Sequence, residues 1–507
     1  MEMMGWIRQK AETPCTYPAL LLFSGKDHPV GCGVCKAGSG AGRIRLWKRA
    51  AGYFYGKKEA KMDLLTDRSK DIYFKYLAAA FGSALISSIY GVVDMAMVGQ
   101  YQGPAGSAAM AVVSPIWNII YSLGLLMGIG GSVLFSTLRG EERGDQCRSN
   151  EYFTAAVMGT GLLAAVTWIM VIFFDRELLM AFGAEGELLT LARRYVLPVK
   201  FAVPSFLFTQ LMSAFLRNDG APGLATRAVL SGGIFNVFGD YFFVFVMDLG
   251  IMGAGIATAM GSLFSLLIMA SHFFHKKNTL RLVRPTGLLP KWKAIVVTGF
   301  STFFIDVAMG ILTVLFNRQI LVWLGTDALS VYAVIINIST FVQCCAYSIG
   351  QASQPIISVN FGAGKGKRIG ETLNYALGTA MAFGVIWTAL SLAAPNLYIR
   401  IFMTPTQRIL EIAPSIIRSY GISFLLLPLN IFSTYYFQAL MKPMASFAVS
   451  VSRGAVISGL LIYLLPAVAG EDAIWFAMPI TELVTAAYAV TGMRRFTREL
   501  PEEGAQA

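Results

Sequence analysis

Long apolar stretches, separated by short polar connections, dominate the pattern of this chain. The hydrocarbon core of a bilayer needs about 20 consecutive apolar residues in a helix. Between residues 70 and 495 the sequence has twelve stretches of roughly this length or more. The pattern predicts an all-α polytopic membrane protein with twelve transmembrane helices, at residues 72–99, 107–137, 152–174, 191–216, 228–247, 252–274, 294–323, 328–358, 372–394, 414–440, 445–466 and 473–493.

Composition excludes a soluble protein and charge placement gives an orientation. Hydrophobic residues make up 55% of the chain and charged residues 14%, whereas soluble domains carry about 25% charged residues. The net charge of +12 could suggest a nucleic-acid partner. However, the basic residues gather in alternate connections, with the strongest cluster at 275–293. By the positive-inside rule, this predicts a multi-pass protein of the cell membrane with both termini in the cytoplasm and no nucleic-acid partner.

The two halves of the chain repeat one another. Residues 138–146, LRGEERGDQ, and 360–368, NFGAGKGKR, both follow a second span, and Gly140 and Gly362 are 222 positions apart. Pro222 and Pro443 follow the two fourth spans at a separation of 221. Six spans per half place both halves in the same orientation. We therefore expect two six-helix lobes related by a pseudo-two-fold axis along the membrane normal, a build in which transporters bind substrate between the repeats.

This repeat defines the predicted domains. Residues 1–61 show no periodicity and are expected to be a disordered or non-native tail, because residue 62 is a methionine that would make a natural start. The N-lobe is placed at 62–275, a cytoplasmic linker at 276–293, the C-lobe at 294–495 and a cytoplasmic tail at 496–507. We expect a monomer. Cys32 and Cys35 form a lone pair at close spacing, so no metal site is expected.

Two spans of the first half carry carboxylates. Asp94 is the only ionisable charge after Lys75 in the first span, and charges inside the membrane mark functional sites by default. Asn236 and Asp240 are four residues apart in the fifth span and share a helix face. Thr258 adds a hydroxyl early in the sixth span. Such a group can hold a proton or a small cation, although Asn236 could also serve only as a hydrogen bond between helices.

Four segments resemble one known family, in order and with its spacing. They are VVDMAMVGQ (92–100), FLRNDGAPG (215–223), FNVFGDYFFVFVMDLGIMGAGIAT (235–258) and GQASQPIISVNFGAGKG (350–366). They are similar to the multidrug and toxic compound extrusion (MATE) family over about residues 70–495. The resemblance implies cation-driven export of amphipathic, often cationic compounds. It also implies that the cation-coupling residues are Asp94, Asn236, Asp240, Thr258 and Gln210.

The resemblance implies that some sodium-coupled members carry acids in their seventh and tenth helices, and the second half of this chain departs from that pattern. Asp306 could supply the acid of the seventh helix, but the tenth span offers only amides and hydroxyls such as Asn430. With Asn337 and Gln351, these residues are candidates for a C-lobe cavity. A proton is therefore favoured over sodium as the coupling ion, and no cofactor is expected.

Three further charged residues within the predicted spans can each be interpreted in two ways. Lys200 either extends toward the membrane surface or neutralises a carboxylate of the cavity, and the first is favoured. Arg453 and Glu482 are either a structural pair or part of a cavity lining.

Three functions remain open at this point. The favoured one is a proton- or sodium-coupled exporter, since the chain has no Gly-x4-Gly-Lys-Ser/Thr loop for ATP. An alternative in the same superfamily is a flippase for lipid-linked oligosaccharides, which would be expected to have a basic cavity. An intramembrane enzyme is the third, but the chain has only three histidines and no local nucleophile–base set. The chain is therefore expected not to be an enzyme.

Overall fold

The computed structural model describes residues 63–141, 146–402 and 405–501. Within these ranges, twelve helices are long and apolar enough to cross a membrane, which confirms the predicted count. They are α1 Ser69–Gly103, α2 Ala105–Gly140, α3 Gln146–Phe173, α4 Gly186–Asn218, α5 Pro222–Val246, α6 Ile251–Phe274, α7 Leu288–Trp323, α8 Gly325–Gly362, α9 Gly366–Ala393, α10 Gln407–Ala439, α11 Pro443–Ala469 and α12 Glu471–Arg498. The predicted tail, which includes Cys32 and Cys35, lies outside the described residues.

Several helices extend beyond their apolar cores, and α7 shows why. It begins at Leu288, six residues before the predicted start at 294. Its first turns contain Lys291 and Trp292, which a hydropathy pattern excludes. The indole of Trp292 donates to Ala155 O at 2.8 Å, and Lys291 pairs with Glu151 at 2.7 Å. These contacts with α3 satisfy the polar groups, so the helix can start before the membrane-spanning part.

Both halves enter their fifth helix by the same backbone turn. Pro222 and Pro443 stand in the first turn of α5 and α11, where a missing N–H matters least. Two residues earlier, Gly220 and Met441 both adopt positive φ, at 76° and 57°. Glycine adopts such a backbone readily and methionine rarely. The turn is therefore kept across the repeat even where its residue is unsuited to it.

The two lobes meet closely at one end of the bundle. The helices α2, α4 and α8 end there, and both ends of the described chain lie there. We call it the basic end. A Cβ atom on Gly130 of α2 would lie only 2.9 Å from the backbone nitrogen of Gly299 in α7. A Cβ atom on Gly362 of α8 would lie 3.2 Å from the Cα atom of Gly140. Glycine at these positions lets the helix backbones touch.

Polar contacts reinforce this junction of the lobes. Asn218 at the end of α4 donates to the side-chain oxygen of Gln354 in α8 at 3.1 Å. The hydroxyl of Tyr73 in α1 donates to Thr379 of α9 at 3.0 Å. The segment before α1 also reaches the C-lobe, because Arg368 donates to Asp67 O at 2.6 Å. The first and second halves of the chain are thus joined by side chains as well as by backbone contacts.

Candidate functional site

Asp94 lies in a buried group formed by four helices of the N-lobe. Its Oδ2 atom accepts hydrogen bonds from the hydroxyl of Tyr195 in α4 at 3.0 Å and of Thr258 in α6 at 3.3 Å. Asn236 of α5 donates to Thr258 Oγ1 at 3.1 Å and lies 3.5 Å from Asp240 Oδ1. We call these five residues the N-lobe cluster.

Close packing of α5 against α6 explains how the cluster forms. Asn236 and Asp240 are one turn apart and face the same way, as their spacing predicts. A Cβ atom on Gly261 of α6 would lie 2.8 Å from the carbonyl oxygen of Gly232 and 3.3 Å from Asn236 Cβ. The absence of side chains on these glycines brings the two backbones together, so that Thr258 comes within reach of Asn236.

The cluster has more hydrogen-bond acceptors than donors. Asp94 Oδ1, Asn236 Oδ1 and Asp240 Oδ2 are buried and have no hydrogen-bond partner. Among the described residues, no lysine or arginine forms a salt bridge with either carboxylate. The exposed fraction is 4% for Asp94 and 0% for Asp240. A buried carboxylate without a counter-ion is unfavourable, so this arrangement suits the uptake of a proton or a small cation.

Sequence reasoning missed Tyr195 and selected Gln210 instead. Tyr195 is apolar enough to pass for an ordinary residue of a span, and only the folded arrangement of α4 beside α1 brings it to Asp94. Gln210 is fifteen residues further along α4, roughly 22 Å at the helical rise. It packs against Gly124 of α2, where a Cβ atom would lie 2.8 Å from Gln210 Cβ. The structure does not bring Gln210 to the cluster.

The C-lobe candidates lie in different surroundings. Asp306 of α7 accepts a hydrogen bond from the hydroxyl of Tyr347 in α8 at 2.7 Å, and its Oδ2 atom has no partner. Gln351 is buried in α8 and neighbours Tyr435. Asn337 is on an exposed face of α8 and donates to its own helix, to Ala333 O at 3.0 Å.

Asn430, the remaining candidate, belongs to an ion-paired group. Its amide donates to Glu482 Oε2 at 2.6 Å and to Glu482 O at 2.8 Å. Arg453 of α11 donates to Glu482 Oε1 at 2.7 Å. We call these three residues the C-lobe triad. Of the two readings for Arg453 and Glu482, the structure shows a direct pair, buried among α10, α11 and α12.

Lys200 is also paired, with a carboxylate just outside the spans. Its ammonium lies 3.0 Å from Asp175 Oδ2, and Arg193 lies 2.8 Å from the same atom. Asp175 begins a short helix between α3 and α4. Burial acts to raise the pKa of Asp175, but Arg193 and Lys200 hold it below its usual value. Lys200 therefore extends toward the membrane surface rather than toward the carboxylates of the N-lobe cluster.

Asp219 holds the basic end of the N-lobe together. It lies between α4 and α5 and accepts from Arg139 at 2.9 Å, from His272 at 2.6 Å and from the backbone of Thr279 at 3.1 Å. Burial acts to raise the pKa of Asp219, but His272, Arg139 and Thr279 hold it below its usual value. In the described part of the chain, no three His, Cys, Asp or Glu side chains are grouped as metal ligands.

Twelve helices in two repeated lobes, with uncompensated carboxylates buried in the first, have the build of a secondary transporter. The family profile MatE matches residues 79–242 and 300–464, more than half of the chain and one segment in each lobe. The chain belongs to the MatE family.

Curated relatives include the multidrug export protein MepA of two staphylococci. The Staphylococcus aureus protein (strain N315) is 23% identical over 408 residues, which cover 79% of this chain and 88% of the relative. The Staphylococcus saprophyticus protein is 25% identical over 292 residues, which cover 56% of this chain and 63%, or just under two thirds, of the relative.

Solved structures share the fold. An outward-facing multidrug resistance MATE family transporter of the MOP superfamily aligns with a TM-score of 0.80 at 19% identity, covering 87% of this chain and 99% of that one. A MOP superfamily transporter from Pyrococcus furiosus, described by the reverse polarity of its binding pocket, aligns with a TM-score of 0.79 at 20% identity and covers 87% and 99%. These likenesses confirm the twelve-helix, two-lobe architecture.

Proposed function

We propose that this protein exports amphipathic, often cationic compounds across the cell membrane by alternating access, driven by a cation that enters through the N-lobe cluster. Membership of the MatE family and the likeness to MepA support export of small molecules rather than catalysis. The main support for this coupling site is the pair of buried carboxylates, Asp94 and Asp240. Neither has a cationic partner in the described part of the chain.

Hydrogen-bond direction in the cluster favours a proton as the coupling ion. Asn236 donates to Thr258, which in turn donates to Asp94. The oxygen of Asn236 and one oxygen of each carboxylate are left without a donor. A proton on either acid supplies a missing O–H donor, and it is released when the cluster opens to water. Sodium would use the same oxygens, so it remains the competing coupling ion.

Coupling follows if the two conformations hold the proton with different affinity. Asp94 and Asp240 belong to one hydrogen-bonded group, in which Thr258 and Asn236 lie between them. A charge on one carboxylate therefore makes a charge on the other less favourable. Protonation would favour the conformation that buries them, and deprotonation the one that hydrates them. Exchange of the proton would then bias the equilibrium between the two access states.

Proteoliposomes test the proposal with ethidium as the transported probe. We expect export under an imposed proton gradient without sodium, and no export under a sodium gradient at equal pH on both sides. Asp248→Asn is a matched control for substitutions of the carboxylates in the cluster, because Asp248 is outside the cluster and hydrogen-bonded to Tyr101. Its positive φ of 55° is one that asparagine tolerates. Export that requires sodium would reverse the choice of ion, and no export under either gradient would contradict the function.

The proposed orientation places both termini in the cytoplasm, with a monomer in the membrane and no nucleic-acid partner. Its support is the concentration of lysine and arginine at the basic end of the bundle. A reporter fused after Arg498 should therefore read cytoplasmic, and an extracellular signal would reverse the orientation.

A further inference from the structure

The end of α12 carries a group of arginines beside an open hollow of about 510 Å³ at the surface of the bundle. The hollow is lined by Thr491, Arg494, Arg495, Arg498 and Glu499. All three arginines are exposed. Because only one of the five lining residues is an acid, the hollow has an excess of positive charge.

The single acid of the hollow is already shared by two cations. Glu499 Oε1 accepts from Arg495 Nε at 3.2 Å, and Glu499 Oε2 lies 3.8 Å from Lys442 Nζ. The side chains of Arg494 and Arg498 form no hydrogen bond or ion pair with any residue of the described ranges. Two guanidinium groups at the hollow are therefore available to a ligand.

Other cations of the basic end are used within the protein. Arg368 donates to the backbone oxygens of Leu64 and Asp67 at 3.1 and 2.6 Å. Lys365 donates to Leu65 O at 3.1 Å. These cations hold the segment before α1 against the C-lobe, whereas the arginines at 494 and 498 join no two parts of the described chain.

Packing against α10 and the turn after it fixes the end of α12 that carries the arginines. The hydroxyls of Tyr436 and Thr497 lie 2.6 Å apart. The ring of Phe496 meets that of Phe437 edge to face, with centroids 5.8 Å apart, and Lys442 Nζ lies 4.7 Å from the Phe496 centroid. The arginines therefore project from an ordered helix end.

The exposed surface of α12 changes from apolar to basic along a single face. Val484, Tyr488 and Arg495 follow one another at spacings of four and seven, so they lie on the same side of the helix. Val484 is 48% exposed and Tyr488 49%. Because α12 is a membrane span, this apolar stripe faces the acyl chains. A ligand that matches the whole face has hydrocarbon chains and an anionic head.

We propose that the arginines at the end of α12 bind the headgroup of an anionic phospholipid, whose acyl chains lie along the stripe formed by Val484 and Tyr488. A guanidinium binds phosphate oxygens through two parallel hydrogen bonds, and basic groups at a membrane surface attract anionic lipids. The excess charge of the hollow favours such a lipid over a zwitterionic one. The site is separate from the N-lobe cluster and does not depend on the proposed export function.

Native mass spectrometry tests the proposal on the full-length protein in a neutral detergent. The protein is equilibrated with equimolar phosphatidylglycerol and phosphatidylcholine that have the same acyl chains. The wild type should retain phosphatidylglycerol several-fold more than phosphatidylcholine. Equal retention of the two lipids would overturn the proposal without any variant.

Two triple variants then locate the preference. The first, which should lower the ratio of retained lipids by about fivefold or more, combines Arg494→Gln, Arg495→Gln and Arg498→Gln. The second removes the same number of exposed charges elsewhere at the basic end and should keep the ratio; it combines Lys276→Gln, Arg284→Gln and Lys367→Gln. An equal change in the two variants, or none in either, would overturn the site.

Thermal unfolding in nanodiscs provides a second measurement that corrects for any general loss of stability in a variant. Adding phosphatidylglycerol to phosphatidylcholine should raise the unfolding temperature of the wild type and of the control, because the bound lipid stabilises the folded state. The arginine variant should gain much less. An equal gain in all three proteins would assign the arginines to contacts within the chain and overturn the proposal.

The lipid is distinguished from a free anion by competition in the wild type. High ionic strength should lower the retention of phosphatidylglycerol, because exposed charges are screened. Inorganic phosphate in large excess at constant ionic strength should not displace the lipid, since it lacks the acyl chains. Displacement by phosphate would overturn the assignment to a phospholipid.

Discussion

The N-lobe cluster and the C-lobe triad hold their buried carboxylates in opposite ways. In the N-lobe cluster, Asp94 and Asp240 are surrounded by hydroxyl and amide groups without a cation. In the C-lobe triad, Glu482 is held by the guanidinium of Arg453 and the amide of Asn430. The first arrangement can change its charge with the conformation of the protein, whereas the second is already neutral as a pair. The fold is repeated in the two lobes, but the arrangement of charged groups is not.

Corresponding positions show where this difference enters. When the two halves are aligned by the separation between Pro222 and Pro443, Arg453 corresponds to Gly232 and Glu482 corresponds to Gly261. Gly232 and Gly261 are the glycines through which α5 and α6 touch. An ion pair in one lobe thus stands where the other has direct backbone packing. Both join the same two helices of the repeat, but only the backbone contact leaves neighbouring carboxylates without a counter-ion.

The largest effect is expected from breaking the C-lobe triad. Glu482→Gln leaves Arg453 as a buried charge without a partner, which should lower the free energy of unfolding by about 3–5 kcal/mol. Thermal unfolding in detergent measures this loss. Replacing both partners by apolar residues, Arg453→Met with Glu482→Leu, should restore most of the stability. Normal stability of the single variant would show that the pair is not structural.

The next effect concerns function rather than stability. Asp94→Asn keeps the size of the side chain but removes its titratable charge from the N-lobe cluster. Gradient-driven ethidium export should fall by more than about tenfold because protonation can no longer bias the two conformations. Expression and thermal stability should remain close to those of the wild type. Export at the normal rate would remove Asp94 from the coupling site.

A smaller effect is expected at Tyr195, which donates to the same carboxylate. Tyr195→Phe removes one hydroxyl and keeps the aromatic packing. The loss of a single hydrogen bond should lower export by roughly threefold to tenfold. Tyr76→Phe is a matched control, because its hydroxyl donates to Arg217 O rather than to the cluster. Equal loss in the two variants would show a general packing effect.

The sequence was sufficient to predict the architecture, because the hydrocarbon core of the bilayer requires long apolar helices. Apolar length and the paired positions of Gly140 and Gly362 predict the number of helices and the repeat, and the structure confirms both. The predicted group of Asp94, Asn236, Asp240 and Thr258 is brought together by the fold, although its role stays a prediction. The spacing of Asn236 and Asp240 within one helix is enough to predict that they lie on the same face.

Partners across helices could not be predicted in the same way. Tyr195 reaches Asp94 only through helix packing, and nothing in the local sequence of α4 indicates it. A pair between Arg453 and Glu482 is one of two interpretations that the sequence leaves open, and only the packing of α11 against α12 decides between them. Arg217 also appears in the sequence as a charge at the end of a span, where the membrane surface would normally solvate it. Its burial follows from the meeting of the two lobes at the basic end, which a hydropathy pattern does not describe.

The smallest effect concerns Asp219, a paired carboxylate of the N-lobe that contrasts with Asp94 in the same lobe. Because its pKa is lowered in the folded protein, its contribution to stability is present above its unfolded pKa, about 3.9. That contribution is lost as the pH falls through the folded pKa. Asp219→Asn should therefore lower the unfolding temperature at neutral pH, and the difference from the wild type should shrink below about pH 4. A difference that does not change with pH would assign the role of Asp219 to hydrogen bonding alone, and the distinction between paired and unpaired carboxylates would then no longer extend to the basic end.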